Sequence, residues 1–388
     1  MAVLAIEGTV ADTEYAIVGG GLQAGLIALA VRTAQPGARI AIIERGAALA
    51  GNHTWCFHAG DLPDGATWID PIVAHRWEGY DVAFPAHRRT LASSYACVTS
   101  ARLADKVASA VDTLWLGEPA IAIEPHRVAT ATRELSATVV IDARGPTRFS
   151  DSQSARCGWQ TFVGQEVIVA NHGLTRPMVM DATVEQAGAR TPAMRFVYVL
   201  PLAPDRLLIE DTAFDDAPYL DVAEGRRAIA AYAAAHHWTL GEVVREETGI
   251  LPLPLAVQPP VPTSSPLIAG YGGGWFHPVT GYSFPIAARL ASLIASVPAD
   301  ALFGPGLAAL GRAHAKQLAF ATRLNRMLFR WFSGERRYHV LERFYRLPEA
   351  VIRRFYAMEL TRFDRARFFL GRPPRGLSWK AVLAPGVP

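Results

Sequence analysis

Cysteine is scarce in this sequence, which contains only Cys56, Cys97 and Cys157 among 388 residues. The three lie far apart along the chain and form no CxxC pair. This spacing carries neither a disulfide framework nor a zinc-binding pattern, so no metal site is predicted. We interpret the cysteines as small buried residues of a protein that stays in a reducing compartment.

Charged residues are also few, at 19% of the chain, whereas hydrophobic residues make up 51%. This balance excludes a disordered polymer, and the length suits two or three layered units. A long apolar span is missing as well. The longest apolar run, residues 16–31, contains three adjacent glycines and Gln23, and it follows acidic residues instead of basic ones. Because the run fits neither a signal peptide nor a membrane span, we expect the protein on the cytoplasmic side.

Basic residues are concentrated near the C-terminus. Residues 311–376 contain sixteen lysines and arginines and five acids, a net charge of +11 that leaves −8 for the rest. Arg323, Arg326, Arg330 and Arg337 alternate there with leucine, methionine and aromatic residues. The pattern predicts a helical tail, residues 301–388, that docks on anionic lipid at a membrane surface. Nucleic acid is not expected, since no recognised motif is present. A solvated face of a helical bundle is the alternative.

The N-terminal segment has the pattern of a βαβ unit. A short apolar strand at residues 15–18 leads into a glycine turn, a helix at 22–33 and a second strand at 39–44. Such strands belong to a parallel sheet that is covered on both faces.

The glycine turn of this unit predicts a dinucleotide. Gly19 and Gly21 would let the backbone approach a pyrophosphate at the helix N-terminus, and Glu44 would accept the ribose hydroxyls. Ala24 stands where a third glycine is usual, and Gly25 follows it. The alternative is a glycine-rich turn in an ordinary α/β domain.

A second candidate segment for the cofactor lies far downstream. Gly270 ends an apolar strand, and residues 277–283 lead into a helix at 286–297. Polar, glycine-containing backbone at a helix N-terminus suits the ribityl chain and pyrimidine edge of a flavin, which favours FAD over nicotinamide. The predicted contacts here are Gly270, His277, Pro278, Thr280, Gly281 and Tyr282. For His277 alone, a satisfied core histidine is the alternative.

Between these segments the pattern changes to strand-like runs separated by Pro, Asn and Gly. The runs are residues 161–169, 178–184, 194–200 and 206–212. They predict a mixed or antiparallel sheet that forms a second domain. The expected division is a discontinuous FAD-binding domain (1–57, 88–150 and 262–300), a substrate domain (58–87 and 151–261) and the helical C-terminal region (301–388).

Six motifs together resemble those of the bacterial lycopene β-cyclases, a family of flavoproteins. They are GNHTW (51–55), MDATV (180–184), LIEDT (208–212), HPVTGYS (277–283), RLNRMLF (323–329) and RFYRLP (343–348). The match runs from about residue 15 to 374. Cys56, where a serine is common, and Gly20 within the glycine turn are small departures.

The resemblance implies an α/β fold of the flavin hydroxylase type, with a Rossmann-like FAD-binding domain. It implies reduced FAD, with NAD(P)H as the electron source, and lycopene as the substrate. Cyclisation of each acyclic end would give β-carotene by way of γ-carotene. Glu210 of LIEDT matches the family's catalytic acid, and the glycine turn and Glu44 match its FAD contacts. His53, from the first motif, joins the predicted cofactor contacts.

The acids near Glu210 can be separated by strand geometry. Along a strand, Glu210 shares a face with Leu208 and Thr212, whereas Asp211, which is also a catalytic candidate, points to the other face. In an apolar pocket the pKa of Glu210 should be raised, which would keep it protonated near neutral pH. An exposed acid at a strand end is the alternative. Asp181 is a weaker catalytic candidate for the same cavity, and its alternative is an acid that opens a turn.

Aromatic residues near the reaction could stabilise a carbocation through cation–π interactions, with Trp275, Phe276 and Tyr198 as candidates. Two other functions share the expected fold. One is an NAD(P)H-dependent flavin monooxygenase or prenyl reductase, and the other is a flavin-containing carotenoid carrier without catalysis.

Overall fold

The computed structural model describes residues 12–145, 157–186 and 193–383. Its strands are β1 (Thr13–Val18), β2 (Ile40–Ile43), β3 (Thr54–His58), β4 (His75–Trp77), β5 (Tyr80–Phe84), β6 (His87–Leu91), β7 (Tyr95–Thr99), β8 (Thr113–Trp115), β9 (Ala122–Glu124), β10 (Arg127–Ala129), β11 (Glu134–Asp142), β12 (Cys157–Ile168), β13 (Met178–Asp181), β14 (Met194–Ala203), β15 (Arg206–Asp215), β16 (Val243–Pro254) and β17 (Leu267–Ile268). Its α-helices are α1 (Leu22–Ala34), α2 (Ser100–Ala108), α3 (Val222–Ala235), α4 (Phe284–Ala295), α5 (Pro305–Trp331), α6 (Tyr338–Phe344), α7 (Glu349–Tyr356), α8 (Arg362–Arg367) and α9 (Trp379–Leu383).

The first sheet contains the predicted βαβ unit. Its strand order is β8-β2-β1-β11-β10-β9, and β17 also pairs with β11. β1 is parallel to β2 and β11, and β17 is parallel to β11. The central strands are fully buried because helices cover the sheet. The late strand β17 therefore returns to the N-terminal sheet, as the sequence predicted.

Helices α1 and α4 pack side by side on this sheet and run in the same direction. Near their starts, the amide nitrogen of Gln23 donates to the carbonyl of Ala287 over 3.3 Å. Near their ends, the amide nitrogen of Gln35 donates to the carbonyl of Ala295 over 2.9 Å. Because starts meet starts and ends meet ends, both helix N-termini lie at the same edge of the sheet.

The second sheet has seven strands in the order β16-β12-β15-β14-β13-β5-β6. Its neighbours are antiparallel except β13 and β5, which are parallel. This is the mixed sheet that the middle of the sequence predicted. Helix α3 covers one face with Ile229 and Tyr232, which pack among buried valines of the sheet. The other face packs against a small third sheet, β3-β7-β4, and the C-terminal helices.

The C-terminal region is helical, as expected, and α5 is its longest element with 27 residues. One detail of the predicted basic surface is wrong. Arg337 is only 1% exposed, donates to the carbonyl of Phe214 and pairs with Asp216. Its guanidinium also lies 4.3 Å from the ring centre of Phe329. It therefore joins the C-terminal region to the second sheet and takes no part in the basic surface.

Within the described ranges, no helix is both long and apolar enough to cross a bilayer. The predicted domain division stays a prediction, and its boundary at residues 150 and 151 lies outside the described residues. Strand β6, residues 87–91, pairs in the second sheet next to β5.

Candidate flavin site and buried acid site

The glycine turn between β1 and α1 has the shape that a pyrophosphate needs. Gly19 has a φ of +101°, and a Cβ there would lie 2.7 Å from the carbonyl oxygen of Ala143, so only glycine fits. Gly21 is the N-cap of α1, and a Cβ built on it meets no described atom within 4 Å. The helix N-terminus therefore faces open space where an anionic group can approach its amides.

Glu44 reaches back from the end of β2 to this turn. Its two carboxylate oxygens accept hydrogen bonds of 2.6 Å from the backbone amides of Gly20 and Gly46. The carboxylate is half-buried beside the turn, which is the position expected for a ribose contact. Gly25 has a different role, because a Cβ there would lie 3.0 Å from side-chain atoms of both Leu103 and Val107. It permits close packing of α1 on α2 and does not face the turn.

The start of α4 supplies the second half of the candidate flavin site. Gly270, with a φ of +58°, places its backbone against Gln23 of α1. The side-chain oxygen of Gln23 is buried and accepts no hydrogen bond within residues 12–145, 157–186 and 193–383. The orphaned acceptor of Gln23 and the open space in front of Gly21 fit a large polar cofactor such as FAD.

The loop from His277 to Tyr282 is built by its own hydrogen bonds. The amide of Gly281 donates to the carbonyl of His277 over 2.8 Å, and the hydroxyl of Thr280 accepts from the amide of Tyr282. Pro278 is buried. Burial lowers the pKa of His277 to about 3, and its Nδ1 accepts from the amide of Val279. The His277 side chain therefore supports the loop, so any flavin contact here would come from the backbone.

The GNHTW segment contacts the second sheet. Arg245 of β16 donates to the side chains of Asn52 and Thr54, and Asn52 donates to the carbonyl of Glu246. The His53 side chain is exposed and its ring is tilted against Trp55 at 5.7 Å. The structure thus brings His53 close to β16 and leaves its ring accessible.

Glu210 lies in the middle of β15, on the face of the second sheet that points toward the third sheet. In register with it across neighbouring strands are Tyr198, Gly164 and Glu247. A Cβ on Gly164 would lie 3.2 Å from the Glu247 side chain and 3.5 Å from that of Glu210, so this glycine leaves room between the two acids. The Thr212 hydroxyl donates to Glu210 over 2.6 Å.

The environment of Glu210 favours its neutral form. Burial raises the pKa of Glu210 to about 8, and the nearby negative charge of Glu247 adds to the increase. Glu247 is itself paired with Arg245 at 2.7 Å. In the described part of the chain, no lysine or arginine pairs with Glu210 in the same way. The expected rise in its pKa is therefore found, and the protonated form of Glu210 is favoured at neutral pH.

An interior space lies next to Glu210. Glu210, Cys56, Tyr198, Tyr282 and Tyr356 all keep some accessible surface, yet burial is the main cause of the raised pKa of each. Side chains that are surrounded by protein and still have accessible surface line a recess. We call this recess the interior space. Its walls come from β3, β14, β15, α7 and the loop before α4.

Tyrosines and one histidine form much of this wall. The hydroxyl of Tyr198 donates to the Cys56 thiol over 2.8 Å and lies 3.1 Å from the hydroxyl of Tyr95. The ring of His58 lies within 5.2 Å of the rings of Tyr95 and Tyr356. Burial lowers the pKa of His58 to about 3, so this ring is neutral. The wall therefore offers aromatic faces and weak dipoles instead of fixed positive charge.

Asp61 is a buried acid that the sequence analysis did not single out. It accepts hydrogen bonds from the hydroxyl of Tyr282 and, over 2.7 Å, from the amide of His58. Burial raises its pKa to about 7. No spacing rule marks Asp61, because it follows β3 in a short 3-10 helix. Only its link to Tyr282 of the HPVTGYS motif places it near the interior space.

Asp211 and Asp181 lie on the opposite face of the sheet from Glu210. Asp211 pairs with Arg195 at 2.8 Å, and its strand register aligns it with Val197 and, through Val197, with Asp181. Asp181 accepts from Tyr232 of α3 and from both the amide and hydroxyl of Thr183. The expectation that Asp181 shares the cavity of Glu210 is therefore wrong; it opens a turn beneath α3.

Of the three aromatic candidates, only Tyr198 is near Glu210. Trp275 is fully buried, stacks on His314 and donates to the carbonyl of Ile268. Phe276 is buried and stacks on Tyr271 at 3.8 Å. Both residues belong to the packed interior of the protein.

The cysteines are free, although two of them become neighbours: Cys56 and Cys97 lie opposite each other on β3 and β7. Among the residues whose placement is described, no group of three or more His, Cys, Asp or Glu side chains is arranged to hold a metal ion.

Comparison with known proteins identifies relatives of the whole chain. Residues 14–381 match the family model described as lycopene cyclase protein. A lycopene beta-cyclase of Pseudescherichia vulneris is 43% identical over 95% of this chain and 97% of its own length. One from Pantoea ananas is 39% identical over 93% and 95%, and one from a Paracoccus species is 38% identical over 93% and 94%.

Solved structures show the same fold at low sequence identity. A tryptophan 6-halogenase from Streptomyces toxytricini superposes with a TM-score of 0.60 at 13% identity, covering 96% of this chain and 93% of the halogenase. A geranylgeranyl bacteriochlorophyll reductase-like protein from Thermoplasma acidophilum gives 0.55 at 15%, covering 92% and 95%. A halogenase solved in complex with FAD gives 0.59 at 12%, covering 92% and 85%. The expected flavoenzyme-type α/β fold is thereby confirmed.

Proposed function

Because this chain belongs to the lycopene cyclase protein family, we propose that it is a lycopene β-cyclase. It closes both acyclic ends of lycopene into β-rings and forms β-carotene by way of γ-carotene. The reaction is an isomerisation without net redox change. The relatives with the same name cover nearly the whole chain, and the site chemistry below supports the proposal.

The observation that carries the proposal is the neutral carboxyl of Glu210 beside an aromatic interior space. A hydrocarbon offers no hydrogen bonds, so the enzyme must supply a proton donor that stays protonated in a dry environment. A pKa of about 8 keeps Glu210 protonated at neutral pH. Thr212 and the strand register fix its position.

Ring closure follows from protonation of the terminal double bond. Glu210 gives its proton to C2, which leaves a cation at C1. The electrons of the C5–C6 double bond form the new C1–C6 bond, and the cation moves to C5. Loss of the C6 proton then creates the C5–C6 double bond of the β-ring. One proton enters and one leaves, so Glu210 can return to its neutral form without net consumption.

The cation needs negative potential and no nearby nucleophile. The faces of Tyr198, Tyr95 and Tyr356 supply the negative side of aromatic quadrupoles. The neutral His58 avoids a repulsive charge. Asp61, hydrogen-bonded to Tyr282, is a second buried acid that would take over proton donation if Glu210 were not the donor.

FAD would be held by Gly19, Gly21, Glu44 and the adjacent N-termini of α1 and α4. In its reduced, anionic form it supplies negative charge that stabilises a cation. We propose NAD(P)H as the source of its electrons, used only to prime the flavin.

The decisive experiment incubates purified protein with lycopene, FAD and a reductant without oxygen and then separates the carotenes. A cyclase produces γ- and then β-carotene while consuming far less reductant than substrate. A prenyl reductase would instead consume one NAD(P)H for each double bond that it reduces, and a flavin monooxygenase would modify lycopene only after oxygen is admitted. A carrier would bind lycopene and return it unchanged, and that result would overturn the proposal.

We also propose that the C-terminal region docks on an anionic membrane surface from the cytoplasmic side. Exposed basic residues there include Arg362, Arg372 and Lys380. Their attraction to anionic lipid is screened over about 8 Å at physiological ionic strength, so binding should weaken as salt rises. Changing these three residues to glutamate should release the protein from anionic vesicles. Unchanged vesicle binding in both tests would contradict this docking.

A further inference from the structure

An apolar groove of about 280 Å³ lies among the C-terminal helices. Its walls come from α5, α6, α7, α8, α9 and the segment between the last two. The side chains that line it are almost all hydrocarbon or aromatic, and they include Leu324, Met327, Trp331, Val340, Leu341 and Leu347. Arg343 and Arg367 are its charged lining residues. A site with so few polar groups selects a ligand without polar groups.

The mouth of this groove is surrounded by exposed apolar side chains. Phe369 and Trp379 line the groove and are 50% and 62% exposed. Of the twelve large hydrophobic residues that are exposed in the described part of the chain, five lie between residues 363 and 383. That same stretch carries five basic residues and one acid. Exposed aromatics among basic residues are typical of surfaces that enter the lipid headgroup region.

The inner end of the groove reaches the wall of the interior space beside Glu210. Val279, from the loop before α4, and Phe355 of α7 both line the groove. The next residue, Tyr356, faces the interior space and contacts the rings of His58 and Tyr282. Phe344 lines the groove in the same way, and its neighbour Tyr345 shares a hydroxyl hydrogen bond with Tyr356. Two aromatic pairs, one at the end of α6 and one on α7, therefore lie between the groove and the interior space beside Glu210.

We propose that this groove binds the linear polyene chain of the substrate and is its route from the bilayer to Glu210. The inference rests on the proposed cyclase function. A linear carotene is much longer than the end that reacts, so most of its chain must lie outside the interior space. The groove provides apolar surface for that remainder, and it continues to a mouth that can touch lipid. After one ring forms, the chain must leave and return with its other end, which also requires an apolar passage.

The test fills the groove without touching Glu210 or the flavin site. Val340→Trp and Met327→Trp each add bulk at half-buried lining positions. Ala309→Trp is the matched control, because Ala309 is an exposed residue of α5 that does not line the groove. We expect KM for lycopene to rise about tenfold or more in the two groove variants, since two excluded methylene groups already cost that much. The rise in KM should be smaller for a truncated hydrocarbon with one acyclic end, because it lacks the polyene chain that the groove binds, and flavin content should not change.

A binding measurement keeps this test independent of turnover. In Glu210→Gln protein, lycopene retained through gel filtration is measured by its visible absorbance. Retention should fall when Val340→Trp or Met327→Trp is added and stay constant with Ala309→Trp. Equal retention and equal KM in the groove variants would overturn the groove as the polyene site. Failure of the wild type to form β-carotene would instead overturn the proposed function, whatever the retention shows.

Discussion

On one face of the second sheet, Glu210 meets a threonine hydroxyl, tyrosine rings and an interior space, whereas on the other face Asp211 lies 2.8 Å from Arg195. Burial raises the pKa of both carboxyls, but Arg195 counteracts the increase at Asp211. Two adjacent residues of one strand thus lie in different chemical environments. The first carboxyl can hold and release a proton, and the second is a charged partner that joins two strands.

The third acid sharpens this contrast. Asp181, on the Asp211 face, is occupied by Thr183 and Tyr232 beneath α3. On this face, both Asp211 and Asp181 accept hydrogen bonds from side chains of the protein itself. On the Glu210 face, the carboxyl keeps one strong internal partner and accessible surface. We expect proton transfer to a substrate only from a carboxyl group that the substrate can reach.

The strongest test of the difference between the faces is Glu210→Gln. The change keeps the shape of the side chain but removes the proton, so cyclisation should fall by about 10²–10⁴-fold. The variant should fold and bind FAD, because the flavin contacts lie on other segments. The measurement is the amount of γ- and β-carotene formed from lycopene under anaerobic conditions. Near-normal ring formation would transfer the acid role to Asp61 or to the reduced flavin.

Gly21→Val tests whether cyclisation at Glu210 depends on a bound flavin. The new side chain would occupy the open space in front of α1, where the pyrophosphate is expected. Bound flavin, measured by its absorbance after gel filtration, should fall by roughly tenfold or more, as should cyclisation, since lost phosphate contacts cost at least a tenfold factor in affinity. Gly37→Val is a matched control, because a Cβ at Gly37 also meets open space but lies far from the turn. Full flavin content in folded Gly21→Val protein would contradict the proposed cradle.

The pH dependence of the reaction tests the neutral state of Glu210. Its pKa of about 8 lies above the ordinary value of 4.5, so activity should be constant below pH 8. Above that value it should fall by about tenfold per pH unit. The same shift lowers the stability of the folded state as pH rises from 4.5 to 8, because Glu210 ionises in the unfolded chain in that window and stays protonated in the folded protein. The Tm of Glu210→Gln should therefore depend less on pH in that window. An activity profile that is flat up to pH 10 would exclude Glu210 as the acid.

The smallest effect on activity is expected on the other face. Asp211→Asn removes a charge next to Arg195 and should destabilise the protein by about 1–3 kcal/mol. Most of the activity should survive, because Asp211 points toward α3. The two measurements are the Tm and the rate of cyclisation. A loss of turnover as large as that of Glu210→Gln would show that the two faces are not functionally separate.

Local patterns in the sequence were sufficient for the parallel sheet, the glycine turn and the opposite directions of Glu210 and Asp211. A strand alternates its side chains with a period of two, so the opposite directions of Glu210 and Asp211 follow from adjacency alone. A glycine turn between a strand and a helix fixes its own geometry within a few residues. The six motifs identified the family, which the comparisons confirmed.

The placement of Asp61, Asp181, His277 and Arg337 was decided by tertiary structure. Strand order, which no local pattern encodes, sets Asp181 on the side of α3 and away from Glu210. Arg337 belongs to a basic run of the sequence, but it is buried because it binds Asp216 and the carbonyl of Phe214. Both partners lie more than one hundred residues away in the sequence, so no local pattern indicates them. Asp61 meets Tyr282 across 221 residues. The sequence by itself determined which chemistry each segment can perform, because side-chain type and local backbone geometry depend only on residues that are close together in the chain. Only the packing of distant segments decided which carboxyl faces an interior space, because burial and partner charges arise between residues that the chain order keeps apart.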